Sequence, residues 1–329
     1  MSNDTDLKPI PDKSLQIAIA SALDWPKTAI KWSRMRTSSV NYVYRARYGK
    51  DSVVIKHSDN TVIKTQWDIP PNHLHNEYTF LKLGQTSEVL APHLPQPLTF
   101  LETENVLIMS DVGRTRFLIH HGFPWFRSKR ETFGQTGRLL ATIHGFDYPD
   151  TFRRNIDLEQ IYSLVTRFKL EPLLHEGWDY LADFRPGADR DFVLLDFSPR
   201  NMLHNRISFH LIDFDLITLG YQLFDVAHFL SYVAQIAFRR GDRKLMASLK
   251  CFLTSYCQER GNGLEANRVI SDEKFLKYFT SMFFHKLSHT RLKMKEDVIR
   301  TFLLDFSQRR FDTWADFTSH LFTLRLKLR

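Results

Sequence analysis

Three polar side chains interrupt an apolar stretch in the middle of the chain. Asp196 and Asn201 stand five residues apart, and Asp213 follows twelve residues later, between Ile212 and Phe214. A carboxylate can orient a hydroxyl and accept its proton, and carboxylate and amide oxygens are the ligands that a hard cation such as Mg²⁺ prefers. Phosphoryl transfer uses this order of groups, D-x-x-x-x-N followed by a second Asp. We therefore predict Asp196 as the catalytic residue and Asn201 and Asp213 as metal ligands.

The spacing of these residues requires a loop followed by a hairpin. The runs DFVLLDF, NMLHN and SFHLIDFD are too short and too apolar for amphipathic helices, and they favour short strands around a loop. The hairpin then returns the chain and places Asp213 beside Asn201. A single Asp at the end of a strand is often only a turn former, so the prediction depends on all three residues together. Asp225, in YQLFDVAHFL, is predicted to cap a helix and to brace the backbone amides of the loop.

The first part of the chain predicts a small sheet with one helix packed on it. An opening helix is predicted over 13–23, a hairpin over 41–49 and 51–58, and a second helix over 72–84. TFLE and NVLIMS, within 92–111, read as two more strands joined by a polar turn.

From residue 127 onward most segments have helical periodicity. The sequence thus predicts an α+β fold with two lobes in the order of a kinase. Residues 1–112 form a small antiparallel-sheet N-lobe, and residues 113–329 form a larger, mainly helical C-lobe with the catalytic loop and the metal-binding hairpin.

Several segments together resemble one known family. LLDFSPRNML resembles the catalytic loop of the aminoglycoside phosphotransferase and choline kinase superfamily, LIDFD its metal-binding segment, and LFDVAHF the helix that follows. RLLATIHGF is similar to the helix before the substrate-binding insert, and NVLIMSDVG to the hinge between lobes. The resemblance implies small-molecule kinases of protein-kinase-like fold, with ATP and Mg as cofactors. It also implies adenine hydrogen bonds to the backbone carbonyl of Ser110 and the amide of Val112.

The family pattern also includes a strand lysine paired with a helix acid. Lys56 and Glu77 occupy these places, so the resemblance implies that Lys56 contacts the α- and β-phosphates and is oriented by Glu77. Lys64 is the competing lysine, and a strand lysine is otherwise usually solvated at a sheet edge.

Two departures from the family pattern are visible. Leu194 and Leu195 stand where the family normally has His-Gly before the catalytic Asp. A glycine-rich phosphate loop is missing, and RTSSVNYVYRA occupies its place. Ser38, Ser39 and Asn41 of that segment are predicted to offer donors to phosphate.

Charge and composition restrict the partners. The formal net charge is +8, and the last 49 residues carry ten Lys or Arg against five Asp or Glu, interleaved with aromatic residues at helical spacing. We interpret this end as a solvated helix face, with contact to an anionic surface as the alternative and no specific nucleic-acid motif. The polar start and the absence of a long apolar run predict a cytoplasmic protein without a transmembrane segment. Cys251 and Cys257 are predicted to be reduced thiols.

The sequence thus predicts an ATP- and Mg-dependent phosphotransferase that acts on a hydroxyl of a small molecule. A catalytically silent kinase fold that serves as a binding or scaffold module is the alternative. Arg200 is interpreted either as a ligand of the transferring phosphoryl group or of an anionic substrate, or as a loop arginine paired with a carboxylate. The candidates for walls around a cationic acceptor are Glu159, Trp178, Asp179 and Tyr232. The positive net charge instead favours a neutral or anionic acceptor.

Overall fold

The chain forms two compact units. The structure, a computed structural model, describes residues 10–35, 41–58, 72–113, 116–117, 130–147, 178–185, 191–204, 209–261, 263–288 and 296–327. The described residues up to Gly113 lie in the first unit and those from Arg116 onward in the second. The sequence predicts this boundary after residue 112.

The first unit contains a five-stranded antiparallel sheet with the strand order β1-β2-β3-β5-β4. The strands are β1 (Lys31–Arg34), β2 (Tyr42–Tyr48), β3 (Asp51–His57), β4 (Pro97–Leu101) and β5 (Val106–Ser110). β2 and β3 form the predicted hairpin, in which Gly49 has a φ of +58°. Glycine adopts this left-handed conformation without steric cost. β1 has no apolar pattern that would predict it, because the four residues of this strand include no buried side chain.

Helix α1 (Lys13–Ala22) supplies the core on one face of the sheet, which confirms the predicted opening helix. Asp12 caps it and accepts a hydrogen bond from the amide of Leu15 at 2.9 Å. Leu15 and Ile19 are buried in one cluster with Ile55 and other apolar side chains of the sheet.

Helix α2 (His73–Gly84) packs against β4 and β5, as the periodicity of the segment predicted. Lys56 and Ile55 are consecutive in β3, and side chains along a strand point alternately to opposite faces. Because Ile55 points into the cluster with α1, Lys56 points to the opposite face. The fold thus separates the lysine from the apolar core of the first unit.

The second unit has two small antiparallel sheets. They lie around the loop that carries Asp196 and Asn201, here called the central loop. One has the order β6-β8-β9, and in the other β7 pairs with β10. The strands are β6 (Arg116–Phe117), β7 (Asp191–Val193), β8 (Met202–His204), β9 (Phe209–Leu211) and β10 (Thr218–Gly220). The loop between β7 and β8 carries Asp196 and Asn201, so the predicted arrangement of short strands around this loop is confirmed.

Helices form most of the described part of the second unit. They are α3 (Arg130–His144), α4 (Leu223–Arg240), α5 (Arg243–Arg260), α6 (Ala266–Ser271), α7 (Glu273–Ser288), α8 (Glu296–Ser307) and α9 (Trp314–Lys327). The segment 157–170, which has the helical periodicity predicted for this part of the chain, lies outside the described residues. No helix within the ranges given above is both long and apolar enough to cross a membrane.

Helices α3 and α5 cross at very short range. A Cβ atom on Gly137 of α3 would collide with the carbonyl oxygen of Phe252 in α5, so only glycine fits at this crossing. Phe252 also stacks on Phe229 of α4, with 4.4 Å between the ring centroids. The three helices therefore pack tightly at the point where they support the central loop.

The C-terminal helices share an aromatic core. Phe317 of α9 makes edge contacts with Phe279 of α7 at 5.2 Å and with Phe306 of α8 at 5.1 Å between ring centroids. Among the exposed cations, Arg309 pairs with Asp305 at 2.9 Å. A buried aromatic side and a charged outer side are typical of helices on a protein surface, which supports the interpretation of this end as a solvated helix face. Arg291, Lys293, Lys295 and Arg329 lie outside the described residues.

Both cysteines are free thiols, which confirms the prediction. Cys257 of α5 is buried, and burial raises the pKa of its thiol to about 12. A thiol that stays protonated at neutral pH is a poor nucleophile and a poor metal ligand. We therefore assign Cys257 a packing role.

Candidate active site

In the first unit, Lys56 and Glu77 form a buried ion pair. The Lys56 Nζ lies 2.9 Å from both Oε1 and Oε2 of Glu77, and the two residues are 6% and 1% exposed. A buried charge is stable only when it is paired and hydrogen bonded, as both are here. The structure thus brings together the two residues that the family pattern pairs.

The segment after β5 is the predicted hinge. Ser110 is fixed to Gln96: the Ser110 amide donates to the Gln96 carbonyl, and the Gln96 amide donates to the Ser110 Oγ, both at 2.8 Å. Within the described residues the amide of Val112 has no acceptor. A backbone donor without an internal partner suits a ligand such as adenine.

Asp111 anchors this segment to the sheet. Its Oδ2 accepts from the Ser52 Oγ at 2.6 Å and lies 2.7 Å from the Arg45 Nε, and its Oδ1 accepts from the Arg45 Nη2 and the Gly113 amide at 3.1 Å. Burial raises the pKa of this carboxyl. The hydrogen bonds from Ser52, Arg45 and Gly113, together with the Arg45 charge, outweigh burial and lower the pKa below 3.8.

Asn41 has a structural contact that the sequence did not predict. The residue is 4% exposed, and its Oδ1 lies 2.8 Å from the Nε2 of His73, at the start of α2. Its side-chain oxygen therefore links the residue before β2 to α2, and its role as a phosphate donor stays a prediction. Ser38 and Ser39 lie outside the described residues.

In the second unit, the central loop begins with a tight turn at Leu195. The Asp196 amide donates to the Leu194 carbonyl at 2.6 Å, and Leu195 between them has a φ of +57°. A side chain other than glycine in this conformation costs about 1–2 kcal/mol. Leu195 is fully buried, so packing holds the turn. The turn directs Asp196 out of the apolar strand that precedes it.

Asn201 binds Asp196 directly. The Asn201 Nδ2 donates to the Oδ2 of Asp196 at 3.1 Å and to its backbone carbonyl at 3.0 Å. A single 3₁₀ turn, Pro199–Asn201, makes this contact across five residues possible. The structure therefore confirms that the loop turns back and brings the two side chains together.

The hairpin of β8 and β9 brings the residue before Asp213 opposite Asn201. The Ile212 amide donates to the Asn201 carbonyl at 2.9 Å, so the strand pairing continues to the residue before Asp213. Asp213 itself has a φ of +70°, a conformation that Asp tolerates better than most residues. The hairpin thus returns the chain as the spacing predicted.

A buried hydrogen-bond network supports the start of the central loop. The Oδ2 of Asp225, in the first turn of α4, accepts from the Leu194 amide at 2.6 Å and lies 3.2 Å from the His144 Nε2. The His144 Nδ1 is hydrogen bonded to the Tyr256 hydroxyl, which donates to Gln222. The predicted role of Asp225 in bracing a loop amide is confirmed.

His228 is a site residue that sequence reasoning missed. Its Nε2 lies 4.0 Å from the Oδ1 of Asp196, and its side chain is 3% exposed. The residue lies on α4 one turn after Asp225, which braces the same loop. The spacing of three residues after Asp225 is a sequence signal that both side chains share one face of the helix. This signal points to the loop only when the structure shows that Asp225 faces it.

Comparisons with known proteins decide the family. A sequence profile of the phosphotransferase enzyme family matches residues 41–250, which is more than half of the 329 residues. This chain belongs to that family. The match spans the Lys56–Glu77 pair, the central loop and Asp213. Among curated proteins no match was found.

Solved structures of this fold agree with the profile. A putative aminoglycoside phosphotransferase from Ralstonia eutropha has a TM-score of 0.55 and 14% identity, with 97% of this chain and 99% of that chain covered. An amicoumacin kinase in complex with AMP-PNP, Ca²⁺ and Ami has a TM-score of 0.53 and 16% identity, with 97% and 93% covered. A choline/ethanolamine kinase family protein from Mesorhizobium loti has a TM-score of 0.52 and 11% identity, with 95% and 98% covered. The predicted superfamily and its kinase-like fold are thus confirmed.

Within the phosphotransferase family pattern, the two leucines before Asp196 have separate roles. Leu195 stands at the glycine position and has the positive φ that glycine accommodates best. Leu194 stands at the histidine position, is 3% exposed, and is held through its amide by Asp225. Apolar packing therefore replaces the family residues without loss of the turn.

The residues considered as walls for a cationic acceptor have other partners. Asp179 pairs with Arg185 at 2.9 Å, and Trp178 packs edge-on against Tyr278, with 4.7 Å between the ring centroids. Tyr232 accepts a hydrogen bond from the Arg200 Nε at 2.7 Å. Glu159 lies outside the described residues. Among the described residues Arg200 is thus paired with a tyrosine and has no carboxylate partner, unlike the alternative interpretation.

Proposed function

We propose that this protein transfers the γ-phosphoryl group of ATP, with Mg²⁺, to a hydroxyl group of a small molecule. The contact between Asn201 and Asp196, at 3.1 Å, is the observation that carries the proposal. It joins a candidate base to a candidate metal ligand within one loop, next to the strand that leads to Asp213. Membership of the phosphotransferase family supports the reaction class.

Asp196 would receive the acceptor. Its side chain is 36% exposed, so a hydroxyl can reach it, and the Asn201 amide fixes one of its oxygens. The carboxylate would orient the acceptor hydroxyl and take its proton as the new phosphate ester forms. Its task is mainly positioning, because phosphoryl transfer requires little covalent chemistry from the protein.

Asn201 and Asp213 carry the oxygen donors that Mg²⁺ prefers and would hold the ion. Because the Asn201 Nδ2 donates to Asp196, the amide oxygen faces away from that carboxylate, and an amide oxygen is a suitable ligand. Within the described ranges, no three His, Cys, Asp or Glu side chains group as a metal site by themselves. Mg²⁺ usually takes only one or two carboxylates and completes its shell with phosphates and water. When bound, the ion would neutralise charge on the phosphates during transfer.

The first unit would supply the nucleotide contacts. Lys56, held by Glu77, would bind the α- and β-phosphates, since an ammonium group carries three donors. The Ser110 carbonyl and the Val112 amide would bind adenine. Ser38, Ser39 and Asn41 stay proposed phosphate donors, and the contact of Asn41 with His73 uses its side-chain oxygen. The kinase solved with AMP-PNP and Ca²⁺ supports a nucleotide and a divalent cation as ligands of this fold.

The experiment compares Asp196→Ala with Asp312→Asn. Asp312 is an exposed carboxylate on a loop of the second unit, so it controls for the loss of one charge. We expect Asp196→Ala to keep the rise in melting temperature caused by ATP and Mg²⁺, and to lose phosphotransfer by at least about 10²–10⁴-fold. Unchanged turnover in Asp196→Ala would overturn the assignment.

The same assay separates an enzyme from a silent scaffold. The missing His-Gly pair and glycine-rich loop motivate the scaffold alternative. A ligand that binds only the folded state raises its melting temperature. A wild-type protein with no shift in ATP and Mg²⁺ and no transfer to any hydroxyl compound would favour the scaffold.

A further inference from the structure

One face of α4 contacts the central loop at three successive points. Spacings of three and four residues place side chains on one face of a helix, and the contacting residues of α4 have these spacings. In chain order the contacts are those of Asp225 with the Leu194 amide at 2.6 Å, of His228 with Asp196 at 4.0 Å and of Tyr232 with the Arg200 Nε at 2.7 Å. The loop therefore runs along α4, and the proposed base lies at the middle contact.

The two outer contacts keep Asp196 beside His228. Both are short hydrogen bonds, and one holds the chain before Asp196 while the other holds it after Asp196. Asn201 adds a further restraint, because its Nδ2 donates to the Oδ2 and to the backbone carbonyl of Asp196. His228 approaches the other carboxylate oxygen, Oδ1. The two oxygens of the proposed base thus have different neighbours, Asn201 at Oδ2 and His228 at Oδ1.

The middle contact is the one with room to shorten. The 4.0 Å between the His228 Nε2 and the Asp196 Oδ1 exceeds the usual hydrogen-bond distance by about 1 Å. The side chain of His228 is only 3% exposed, whereas that of Asp196 is 36% exposed, so the carboxylate has more room to move. Hydrogen bonds of active sites are often long without substrate and tighten when it binds. A small turn of the Asp196 side chain would therefore complete this contact.

We propose that His228 is a positioning residue for Asp196. When the acceptor binds, the Nε2–H of the His228 ring donates to Oδ1 while the Asn201 amide donates to Oδ2, and the two donors fix the plane of the carboxylate. A carboxylate oxygen can accept two hydrogen bonds, so Oδ1 can still receive the acceptor hydroxyl. This inference rests on the proposed function and adds the residue that orients its base.

Orientation of the base affects the rate of transfer and not the binding of the nucleotide. A misplacement of about 1 Å in an active site can cost about 10²-fold in rate. His228 is not among the proposed nucleotide contacts. Loss of its ring is therefore expected to lower kcat and to leave the KM for ATP unchanged.

A double-mutant cycle tests this role. His228→Leu is made in the wild type and in Asp196→Ala, and transfer from ATP with Mg²⁺ is measured with the most active acceptor among glycerol, choline, ribose and kanamycin. We expect His228→Leu to lower kcat of the wild type about tenfold or more. In Asp196→Ala it should change the residual rate by less than about twofold, because the carboxylate that His228 orients is gone. A fall by the same factor in both proteins, or in neither, would overturn the proposal.

Gln235→Leu is the matched control. Gln235 is a buried polar residue of α4, seven residues after His228 and on the same face of the helix. Its replacement removes a buried polar side chain after the last of the three contacts with the loop. We expect its kcat to stay within about twofold of wild type. A loss as large as that of His228→Leu would show that the packing of α4, and not the orientation of Asp196, sets the rate.

Two polar variants keep the test valid if His228→Leu does not fold. The side-chain nitrogen of glutamine can take the place of the His228 Nε2, whereas that of asparagine reaches only as far as Nδ1. We expect His228→Gln to keep most of kcat and His228→Asn to lose about tenfold, with folding of both verified by urea denaturation. Equal kcat values in the two variants would contradict a hydrogen bond from Nε2.

The same measurements separate this inference from the proposed function. Transfer by the wild type together with an unchanged kcat in His228→Leu would remove the role of His228 and leave the phosphotransferase intact. Absence of transfer by the wild type to all four acceptors would remove the proposed function and this inference together.

Discussion

The backbone amide of Leu194 donates to the carboxylate of Asp225, with 2.6 Å between the nitrogen and Oδ2. This buried contact ties the central loop to α4, two residues before Asp196. The position of Asp196 is therefore set from the core of the second unit as well as by its own turn.

Replacement of Asp225 is expected to damage both stability and activity. Asp225→Ala would leave the Leu194 amide and the His144 Nε2 buried without an acceptor, at a cost of about 1–3 kcal/mol for each. We expect the free energy of unfolding to fall by about 2–5 kcal/mol, measured by urea denaturation, and kcat to fall with it. Asp225→Asn, which keeps one acceptor oxygen, should be milder.

Asp242→Ala serves as the control for Asp225. Asp242 caps α5 and accepts from the Leu245 amide at 3.2 Å, so its loss should cost about 1 kcal/mol. Its effect on kcat should be negligible. A loss of under 1 kcal/mol in Asp225→Ala would show that the loop does not depend on this contact.

The Lys56–Glu77 pair is expected to have separable structural and binding roles. Lys56→Met alone removes the lysine charge that compensates the buried Glu77 carboxylate, which costs about 3–5 kcal/mol. The double variant Lys56→Met, Glu77→Leu should recover most of that stability, because no charge is left buried. ATP with Mg²⁺ should raise the melting temperature of neither variant. Lys82→Met, on the exposed side of α2, should behave as wild type within about 0.5 kcal/mol. An ATP-dependent shift in the double variant would exclude Lys56 as the phosphate ligand.

Asp111 is expected to make stability depend on acid pH. Its pKa in the folded protein is lowered below 3.8, so the unfolded chain binds the proton more tightly. The stabilisation is therefore fully present above the pKa of the unfolded chain and is lost as the pH falls through the lowered pKa. We expect wild type to exceed Asp111→Asn in unfolding free energy at pH 6, and the difference to shrink as the pH falls below about 3.8. A difference that stays constant down to pH 2 would contradict this linkage.

At position 195 the glycine variant is expected to be more stable than the alanine variant, which reverses the usual order of stability. Both Leu195→Ala and Leu195→Gly lose the buried side chain, but only glycine relieves the φ of +57°. Leu195→Gly should therefore be about 1 kcal/mol more stable than Leu195→Ala, measured by urea denaturation. At Leu194, whose φ is negative, glycine should be the less stable variant by about 0.5–1 kcal/mol. If the alanine variant is the more stable one at both positions, the backbone at Leu195 is not strained.

The periodicity of apolar residues in the sequence was sufficient to predict most elements of the fold. The opening helix, the hairpin of β2 and β3, and α2 lie within two residues of their predicted bounds, because each carries an apolar pattern that local burial satisfies. β1 was missed, since an edge strand without buried side chains has no such pattern. The close crossing at Gly137 was also invisible, because it depends on a backbone carbonyl 115 residues away in the sequence.

The site was predictable where its residues are close in sequence. Asp196, Asn201 and Asp213 share one loop and hairpin, so their spacing constrains their geometry. His228 and Tyr232 approach that loop from α4, and only the packing of the helix shows which of its side chains face the loop. The burial of Asn41 was not predicted, because it depends on a contact with His73, 32 residues away on α2.

The nitrogen and the oxygen of the Asn201 side-chain amide have different roles. Its nitrogen donates to Asp196, and its oxygen is the proposed ligand of the cation. In the proposed mechanism this side chain would couple the orientation of the base to the occupancy of the ion site, so a substitution of Asn201 is expected to change both. Directed evolution for a different cation preference would therefore have to start at Asp213, the proposed ligand in the hairpin that does not also hold Asp196.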